Sequence, residues 1–287
     1  MFEVTFLGTA SAVPTLKRNL PSIAVRHEGD LLLLDCGEGS QRQMMQFGIS
    51  YMKLKAVFLS HLHTDHILGL FGLLETMALA NRQDKLCIYG PKGTKHLFQK
   101  KGFAEVVEIE DGFSCDFGKF EVKAFANMHC KGSFGFIVEE KPKRRFYEQK
   151  AKAAGLRGAM FSKLLEKGEL EIDGKKIRLK DVTYIQEGKK LVYSGDTPPC
   201  PSVIKAAKNA DLLIHEATFC SDMEEEAKES NHSTAKQAAE VAKKAKAKKL
   251  VLTHLSARYS DPSKLRLEAK KFFPNCEVAE DGMKISV

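Results

Sequence analysis

The sequence predicts an α/β protein, specifically an αβ/βα four-layer sandwich with a basic segment inserted into it. The first stretch reads as strands, because short apolar or alternating runs are broken by Gly, Pro and Asp. Strand–helix alternation follows, and a second set of the same kind comes after it, which is the order expected of two sheets covered by helices. The 287 residues, 43% of them hydrophobic, are enough for one large core or two smaller ones.

The individual elements follow from periodicity. Apolar residues spaced three and four apart predict helices in GSQRQMMQFG, GLFGLLETMALANR, GTKHLFQKKG, PSVIKAAKNA, HSTAKQAAEVAKKAKA and SKLRLEAKKFF. Short apolar or alternating runs predict strands in FEVTFLGT, SIAVRHE, DLLLLDCG, KAVFLSH, LCIYGP, AEVVEIED, KFEVKAFANMH, SFGFIVEE, KLVYSGD, ADLLIHEAT, KKLVLTH and MKISV.

The segment Lys141–Lys190 differs from the rest of the chain in charge. It carries 15 Lys/Arg and 7 Asp/Glu, a net charge of +8, which equals the net charge of the whole chain. We expect two short helices, around EQKAKAAG and FSKLLEKG, and little that builds a core. Charge runs are usually solvated insertions, but such a segment also suits an electrostatic arm for a polyanion such as nucleic acid. Charge alone does not decide between them.

Cysteine use and hydropathy bear on the compartment. The seven cysteines are odd in number and scattered, without a CxxC pair, which is typical of a reducing cytosol. No apolar run approaches the length that spans a bilayer, and the N-terminal MFEVTFLGTASAVP lacks the pattern of a signal peptide. We therefore expect a cytoplasmic protein without a membrane partner.

The stretch SHLHTDH, Ser60–His66, holds three of the nine histidines and an aspartate directly after an apolar run. Alternate residues at a strand end project together, so His61 and His63 form one group and Asp65 and His66 another. Burying so many ionisable groups together is costly unless a cation compensates. The spacing therefore predicts a metal site.

Three further apolar strands end in a ligand residue, at His129, Asp196 and His254. Seven ligands exceed what one tetrahedral ion uses, but two ions sharing a carboxylate use them all. We assign His61, His63 and His129 to one ion and Asp65, His66 and His254 to the other, with Asp196 between them. The donor set suits zinc, with manganese or iron as alternatives.

A second pair of residues has an alternative role. Glu216 follows an apolar strand and could orient His232, which could then protonate a leaving oxygen. Spacing alone favours the simpler interpretation, in which NHST is a helix start capped by Ser233 or Thr234.

Several motifs together resemble one family. PTLKRN, SHLHTDHILGL, SGDT, HEATF, HST and LTHLSARY occur in the order found in ribonuclease Z, an endonuclease of the metallo-β-lactamase fold that removes the 3′ trailer from precursor tRNA. HxHxDH alone indicates only the superfamily, whereas HEATF followed by HST and LTHxSxRY is far more specific.

The resemblance implies roles for these residues. It implies two zinc ions held by the seven ligands, Asp65 as both ligand and proton acceptor, and Glu216 with His232 as a proton-delivery pair. Arg258 would lie near the scissile phosphate, and Arg18 and Asn19 would lie in a loop flanking the active site. The products would be tRNA with a 3′-hydroxyl and a trailer with a 5′-phosphate.

The resemblance also gives the basic segment a purpose. In the family, an arm inserted at this place binds the tRNA elbow away from the catalytic centre, and members are commonly homodimers. The arm of many bacterial members carries a Gly-Pro-rich motif, whereas GLRGAMFSKL here has Gly155 and Gly158 but no proline. The resemblance therefore implies a single metallo-β-lactamase-type domain, residues 1–287, with an arm at 141–190.

Two other functions remain open. The dinuclear centre also suits a hydrolase of small phosphodiesters or other RNA, although a small substrate needs no basic arm. An RNA-binding protein with a decayed centre is the second, although the ligand set is complete.

Overall fold

The computed structural model of the chain describes residues 1–98 and 101–287. These residues form two compact units. The body comprises 1–139 together with 189–287, and the arm comprises 140–188. No helix among the described residues is long and apolar enough to cross a membrane.

The strands and helices are as follows in chain order. The strands are β1 (Phe2–Gly8), β2 (Ser22–His27), β3 (Asp30–Leu34), β4 (Leu54–Phe58), β5 (Leu86–Gly90), β6 (Ala104–Glu108), β7 (Ser114–Asp116), β8 (Phe120–Ala126), β9 (Phe134–Glu140), β10 (Lys143–Phe146), β11 (Glu169–Ile172), β12 (Lys175–Arg178), β13 (Thr183–Gln186), β14 (Lys190–Tyr193), β15 (Leu212–Glu216), β16 (Leu250–Thr253), β17 (Cys276–Val278) and β18 (Lys284–Ser286). The helices are α1 (Ser40–Gln46), α2 (Thr64–Leu79), α3 (Thr94–Leu97), α4 (Glu148–Ala153), α5 (Met160–Lys167), α6 (Leu179–Val182), α7 (Pro201–Ala206), α8 (Glu224–Glu229), α9 (Ala235–Ala245) and α10 (Ser263–Phe272).

The body is built on two seven-stranded sheets. Their strand orders are β18-β1-β2-β3-β4-β5-β6 and β17-β16-β15-β14-β9-β8-β7. In each sheet, a run of parallel strands (β3 to β6, and β14 to β17) is joined to antiparallel strands at one side. The first sheet is therefore built from the N-terminal strands together with the last strand of the chain, β18, which pairs with β1.

The faces of the two sheets explain the four layers. Large side chains such as Phe6, Phe58 and Phe136 are fully buried in one cluster that takes in both sheets. The outer face of the first sheet packs with α1 and α2, and that of the second with α7, α9 and α10. Helix α9 presents small alanines to its sheet, and Thr234 with Gln237 forms a capping box at its start. The predicted αβ/βα sandwich is confirmed.

The arm has more internal structure than the sequence indicated. Strands β10 and β13 pair antiparallel, and β11 and β12 form a hairpin. Ala151, Leu156, Leu164 and Val182 are buried against one another. The expectation that this segment holds little that builds a core was wrong, because its few apolar residues are scattered in sequence and meet only after the strands pair.

Two boundaries differ from the sequence predictions. Helix α3 ends at Leu97, much earlier than GTKHLFQKKG suggested, and Gln99 and Lys100 of that stretch lie outside the described residues. Strand β4 ends at Phe58 rather than at Ser60, so the histidines follow in a short loop before α2.

Candidate active site

The predicted metal loop joins β4 to α2. His61 and His66 are buried, whereas His63, which precedes the first residue of α2, is exposed. Asp65 lies in the first turn of the helix and is partly buried. The body therefore places these four side chains at the carboxyl end of β4, the end at which open α/β sheets bind ligands.

The other predicted ligands come from the second sheet. His129 lies beyond β8, and Asp196 and His254 lie beyond the parallel strands β14 and β16. All three side chains are buried. His254 adopts a left-handed backbone conformation, with φ of 58°. Strand ends from both sheets thus meet at one place.

The seven side chains form overlapping groups whose ligand atoms lie within 4.8 Å of one another. The Nε2 atoms of His66 and His254 each lie 3.2 Å from Asp196 Oδ2 and 3.5 Å from Asp65 Oδ2. His61 Nε2 lies 3.8 Å from the same Asp196 oxygen. Among these seven side chains, the groups are His61 with His63 and His129, Asp65 with His66 and His254, and Asp196 with His61 and His66. His232 joins two further groups, one with His129 and Asp196 and one with Glu216 and His254.

The opposite edge of four of the five histidine rings is held by the protein. His66 Nδ1 lies 2.8 Å from Asp35 Oδ2, and His254 Nδ1 lies 3.0 Å from Thr218 Oγ1. His61 Nδ1 and His129 Nδ1 are held by Ser60 Oγ and Asn231 O, each at 3.0 Å. Such contacts fix the tautomer and orientation of a ligating imidazole, so these rings offer Nε2 to the centre.

Charge coupling accompanies this geometry. Burial alone would lower the pKa of His66, but the charges of Asp196 and Asp35 raise that pKa well above its ordinary value. Burial and then the charge of His66 lower the pKa of His61. The pKa of Asp196 is lowered in spite of burial, because His254 and His66 are beside it. Asp196 is therefore ionised and His61 neutral, the forms that bind a cation, whereas His66 releases its proton when a cation binds.

Buried polar atoms test whether a metal fits here. The Nε2 atoms of His61, His66 and His254 and the Oδ1 atom of Asp196 are buried without a hydrogen-bond partner among the described residues. Leaving such groups unpaired is unfavourable. All four converge on one place, and their types are imidazole nitrogen and carboxylate oxygen, so the donor set fits divalent metal ions.

Glu216 and His232 form a pair beside this cluster. Glu216 Oε1 accepts a hydrogen bond from His232 Nδ1 at 2.7 Å and another from the Thr197 amide at 3.0 Å. Oε2 accepts from the amide and the hydroxyl of Thr218. Burial alone would lower the pKa of His232, but the charge and hydrogen bond of Glu216 raise it to about 9. Thr234, and neither His232 nor Ser233, caps α9.

The three predicted substrate-binding residues lie in different surroundings. Arg258 is exposed, lies over the Phe219 ring at 5.2 Å, and lines a cleft of about 420 Å³ together with His232. Arg18 Nη1 instead donates to Thr9 Oγ1 and to the Ala279 carbonyl. Asn19 donates through its side chain to the Glu38 carbonyl. Arg18 and Asn19 thus tie their loop to the body.

Sequence reasoning missed the residues that hold the ligands. Asp35 directly follows the buried run of β3, and its carboxylate binds Ser60, His66 and the Tyr193 hydroxyl. An acidic residue at the end of an apolar strand was the available signal. Thr218 joins Glu216 to His254 through hydrogen bonds. Its sequence signal is weaker, because a threonine after a strand is common.

Comparison with known proteins adds the family. A family model described as "Anti-Pycsar protein Apyc1" matches residues 2–149, and one described as "Beta-lactamase superfamily domain" matches residues 181–255. Among solved structures, the metallo-β-lactamase fold protein YhfI from Bacillus subtilis has a TM-score of 0.75 at 22% identity, covering 99% of this chain and 98% of that one. This likeness supports the metallo-β-lactamase fold.

Full-length relatives are more specific. Ribonuclease Z of Methanosarcina acetivorans is 42% identical over 100% of this chain and 98% of its own length, and that of Methanothermobacter thermautotrophicus is 43% identical over 100% and 97%. The structure of human tRNase Z, short form, has a TM-score of 0.67 at 30% identity, covering 99% of both chains. With relatives of this identity along its whole length, the chain belongs to the ribonuclease Z family of the metallo-β-lactamase superfamily.

Proposed function

We propose that this protein is a metal-dependent endoribonuclease that removes the 3′ trailer from precursor tRNA. It hydrolyses the phosphodiester after the tRNA body and leaves a 3′-hydroxyl on the tRNA and a 5′-phosphate on the trailer. The observation that carries the proposal is the convergence of seven ligand side chains, six of them buried or partly buried and His63 exposed, beside a cleft that His232 and Arg258 line. The family of full-length relatives supports the choice of RNA as substrate.

The ligand side chains would hold two zinc ions. His61, His63 and His129 serve one ion, and Asp65, His66 and His254 serve the other, with Asp196 between them. When bound, two such ions supply a nucleophilic water and Lewis-acid stabilisation of the charge that develops on phosphate. The chain itself holds the ligand rings in place through Asp35, Ser60, Thr218 and Asn231.

Proton delivery to the leaving group falls to His232. Its Nδ1 hydrogen bond to Glu216 fixes the ring and leaves the proton on Nε2 available for transfer. Because Glu216 raises the pKa of His232 to about 9, the ring is charged at neutral pH and acts as the general acid for the 3′ oxygen. Asp65 is the residue we assign as proton acceptor.

Arg258 stabilises the phosphate in this proposal. Its planar guanidinium lies at the cleft and is oriented over Phe219. A guanidinium presents parallel donors that match phosphate oxygens. Arg18 and Asn19, predicted to bind substrate, would contribute indirectly by shaping the loop beside the cleft, since their side chains bond to the body.

The arm would supply affinity for tRNA. Lys and Arg side chains on it release counterions from RNA phosphates without reading sequence. Folded RNA is recognised largely by its shape, so a substrate-gripping arm suits a tRNA precursor. A homodimer and a cytoplasmic location are further parts of the proposal, and both rest on the family resemblance and on cysteine use.

The test compares two substrates. A 5′-labelled precursor tRNA with a 3′ trailer and a small chromogenic phosphodiester are offered to the intact protein, to Asp65→Ala and to an armless variant. Because Glu139 and Lys190 are paired neighbours on β9 and β14, residues 140–188 can be replaced by a short turn without disturbing the sheet. We expect Asp65→Ala to be inactive on both substrates and the armless variant to fail mainly on tRNA.

The outcomes separate the alternatives. Turnover of the small diester by a protein that leaves precursor tRNA uncut would support a small-molecule phosphodiesterase. Tight RNA binding that survives chelation, with no cleavage of either substrate, would support an RNA-binding protein with a decayed centre. Cleavage at the tRNA 3′ boundary excludes both.

A further inference from the structure

A loop near the N-terminus contacts the predicted ligand Asp65. The backbone amide of Ala12 donates a hydrogen bond of 3.0 Å to Asp65 Oδ2. This is the same oxygen that lies 3.5 Å from the Nε2 atoms of His66 and His254. The Ala12 amide therefore contacts the same Asp65 oxygen that faces His66 and His254, the other two residues assigned to the second metal ion.

Ala12 needs outside support to stay in this position. Its φ is 45°, in the left-handed region that residues with a side chain seldom adopt. Its neighbour Ser11 donates to the carbonyl of Leu255, and the Leu255 amide donates back to Thr9, each at 2.9 Å. Leu255 directly follows His254. The segment from Thr9 to Ala12 is thus bonded to two ligand-bearing segments at once.

The base of this loop is closed by its own backbone. The amides of Thr9 and Ala10 both donate to the carbonyl of Asn19 at 2.9 Å. Between these two ends, Leu16 is fully exposed at the tip. The loop, residues 9–19, therefore has a hydrogen-bonded base and an exposed tip, and its Ala12 amide contacts Asp65.

Asp281 holds the base. Its Oδ2 accepts from the Asn19 amide at 2.6 Å and from Gln43 Nε2 at 2.9 Å, and its Oδ1 accepts from Thr9 Oγ1 at 2.7 Å. Arg18 completes the network by donating to Thr9 Oγ1 and to the Ala279 carbonyl. Asp281 lies in the turn before β18, so one carboxylate joins this turn, the loop base and α1.

Resting on the metal centre proposed above, we propose that Asp281 is a positioning residue for the second metal ion, acting through the 9–19 loop. Asp281 fixes the loop base, the loop fixes the Ala12 amide, and the amide orients Asp65 Oδ2 toward His66 and His254. Arg18 belongs to the same brace, which gives this arginine a role apart from contact with RNA.

The test measures metal affinity directly. Purified protein is stripped of metal and titrated with Zn²⁺ against a chromogenic chelator, for the unaltered protein, Asp281→Asn, Thr9→Val and Leu16→Ala. Outer partners of ligands typically change metal affinity by about 10–100-fold. We expect Asp281→Asn to weaken one of two zinc equivalents by about tenfold or more while the other equivalent binds as before. A general loss of stability would weaken both.

The other variants guard against misfolding and against an effect of the tip. Thr9→Val deletes one hydroxyl from a side chain of nearly the same shape, and it should weaken the same equivalent by a smaller factor. Leu16→Ala changes the tip alone and should leave both equivalents unchanged. Turnover of a small chromogenic diester should fall in kcat, with KM little changed, in Asp281→Asn and Thr9→Val.

Two results would overturn the inference. The first is that both Asp281→Asn and Thr9→Val bind two zinc equivalents as tightly as the unaltered protein and raise only KM for precursor tRNA, which would make the loop a substrate contact. The second is that the unaltered protein binds no metal, which would overturn the proposed centre as well. If the unaltered protein binds zinc but does not cut tRNA, the proposed substrate is wrong. The positioning role of Asp281 would then still be supported by the zinc titration.

Discussion

Both oxygens of Glu216 are committed to hydrogen bonds. Oε1 accepts from His232 and from the Thr197 amide, and Oε2 accepts from Thr218. The carboxylate is fully buried. A buried carboxylate with this many donors stays ionised and in one orientation, so it fixes the His232 ring and raises the pKa of that ring.

Removing the His232 ring should slow cleavage of RNA selectively. A ribose 3′ oxygen needs a proton as it leaves, whereas the nitrophenolate of a chromogenic diester does not. We expect His232→Ala to lower kcat on precursor tRNA by about 10²–10⁴-fold, the usual range for general acid catalysis. Turnover of the chromogenic diester should change little, as measured by steady-state kinetics on both substrates.

Two controls accompany this prediction. Glu216→Gln keeps the shape of the side chain but loses its charge, so it should act in the same direction. His96→Ala removes an exposed histidine of α3 and should leave both rates unchanged. An equal loss on both substrates in His232→Ala would contradict proton delivery and indicate a role in metal binding.

At the residue level, the sequence could predict which ligand-type side chains at strand ends lie close together. His129, Asp196 and His254 were named because each follows an apolar strand, and the structure brings all three together with His61 and His66. Asp35 and Thr218 were missed because their importance lies in hydrogen bonds to residues that are 31 and 36 positions away. The spacing of residues along the chain does not predict hydrogen bonds between residues so far apart in sequence.

Helix α2 packs unusually close to the turn after β3. A Cβ atom on Gly69 would lie 1.9 Å from the carbonyl oxygen of Gly37. The Gly69 amide donates to the Cys36 carbonyl, and the Cys36 amide donates to the carbonyl of His66. This close approach places the first turn of the helix, and with it His66, beside Asp35.

Two glycines of this helix should respond in opposite directions. Gly69→Ala should lower the melting temperature and weaken zinc binding, because the methyl group forces α2 away from the turn. Gly72→Ala should be neutral or stabilise the protein by up to about 1 kcal/mol, since alanine favours helix. The nearest atom to its Cβ would be the end of the flexible Gln41 side chain at 3.4 Å. Thermal unfolding measures the melting temperature of each variant, and zinc titration measures its affinity for zinc. Equal melting temperatures would refute the close approach.

The arm carries an aromatic pair that suits RNA. The rings of Tyr147 and Tyr184 lie 4.8 Å apart, and Lys150 lies 4.5 Å above Tyr147. Both tyrosines are about two-fifths exposed, at 42% and 40%. Stacking on such rings contributes about 1–3 kcal/mol per base.

Loss of one ring should therefore weaken RNA binding. We expect Tyr184→Ser to raise the Kd for precursor tRNA by about tenfold, with hydrolysis of a small diester unchanged. Leu165→Ser is the matched control, because Leu165 is an equally exposed apolar residue of the arm at 48%. Binding measured by filter retention or anisotropy decides the matter, and equal effects of the two substitutions would exclude stacking.

At the level of elements, the body was largely predictable and the arm was not. Runs such as KLVLTH and ADLLIHEAT are apolar throughout, as buried parallel strands are. KRRF and TYIQ, which form β10 and β13, have no such signal. Arg145 of β10 pairs with Tyr184 of β13, which is 39 positions later in the sequence. These two strands therefore form because they pair with each other, and their composition alone does not predict them.

For the whole molecule, formal charge is divided between regions. The segment Lys141–Lys190 carries a net charge of +8, equal to that of the whole chain, so the rest is neutral overall. A polyanionic substrate is therefore expected to be attracted chiefly by one segment, and the residues proposed for catalysis lie in the other part of the chain. Affinity for RNA and chemistry on phosphate are thus expected to be separable by mutation.

The most direct measurement is cleavage of a 3′-extended precursor tRNA by protein stripped of metal with a chelator and then reloaded with zinc, with both new ends mapped. The account predicts no cleavage by the stripped protein and restored cleavage at the 3′ boundary of the tRNA body on addition of zinc. The ends should be a 3′-hydroxyl on the tRNA and a 5′-phosphate on the trailer. Cleavage that survives metal removal, or a 2′,3′-cyclic phosphate end produced by attack of the ribose itself, would contradict hydrolysis at this site.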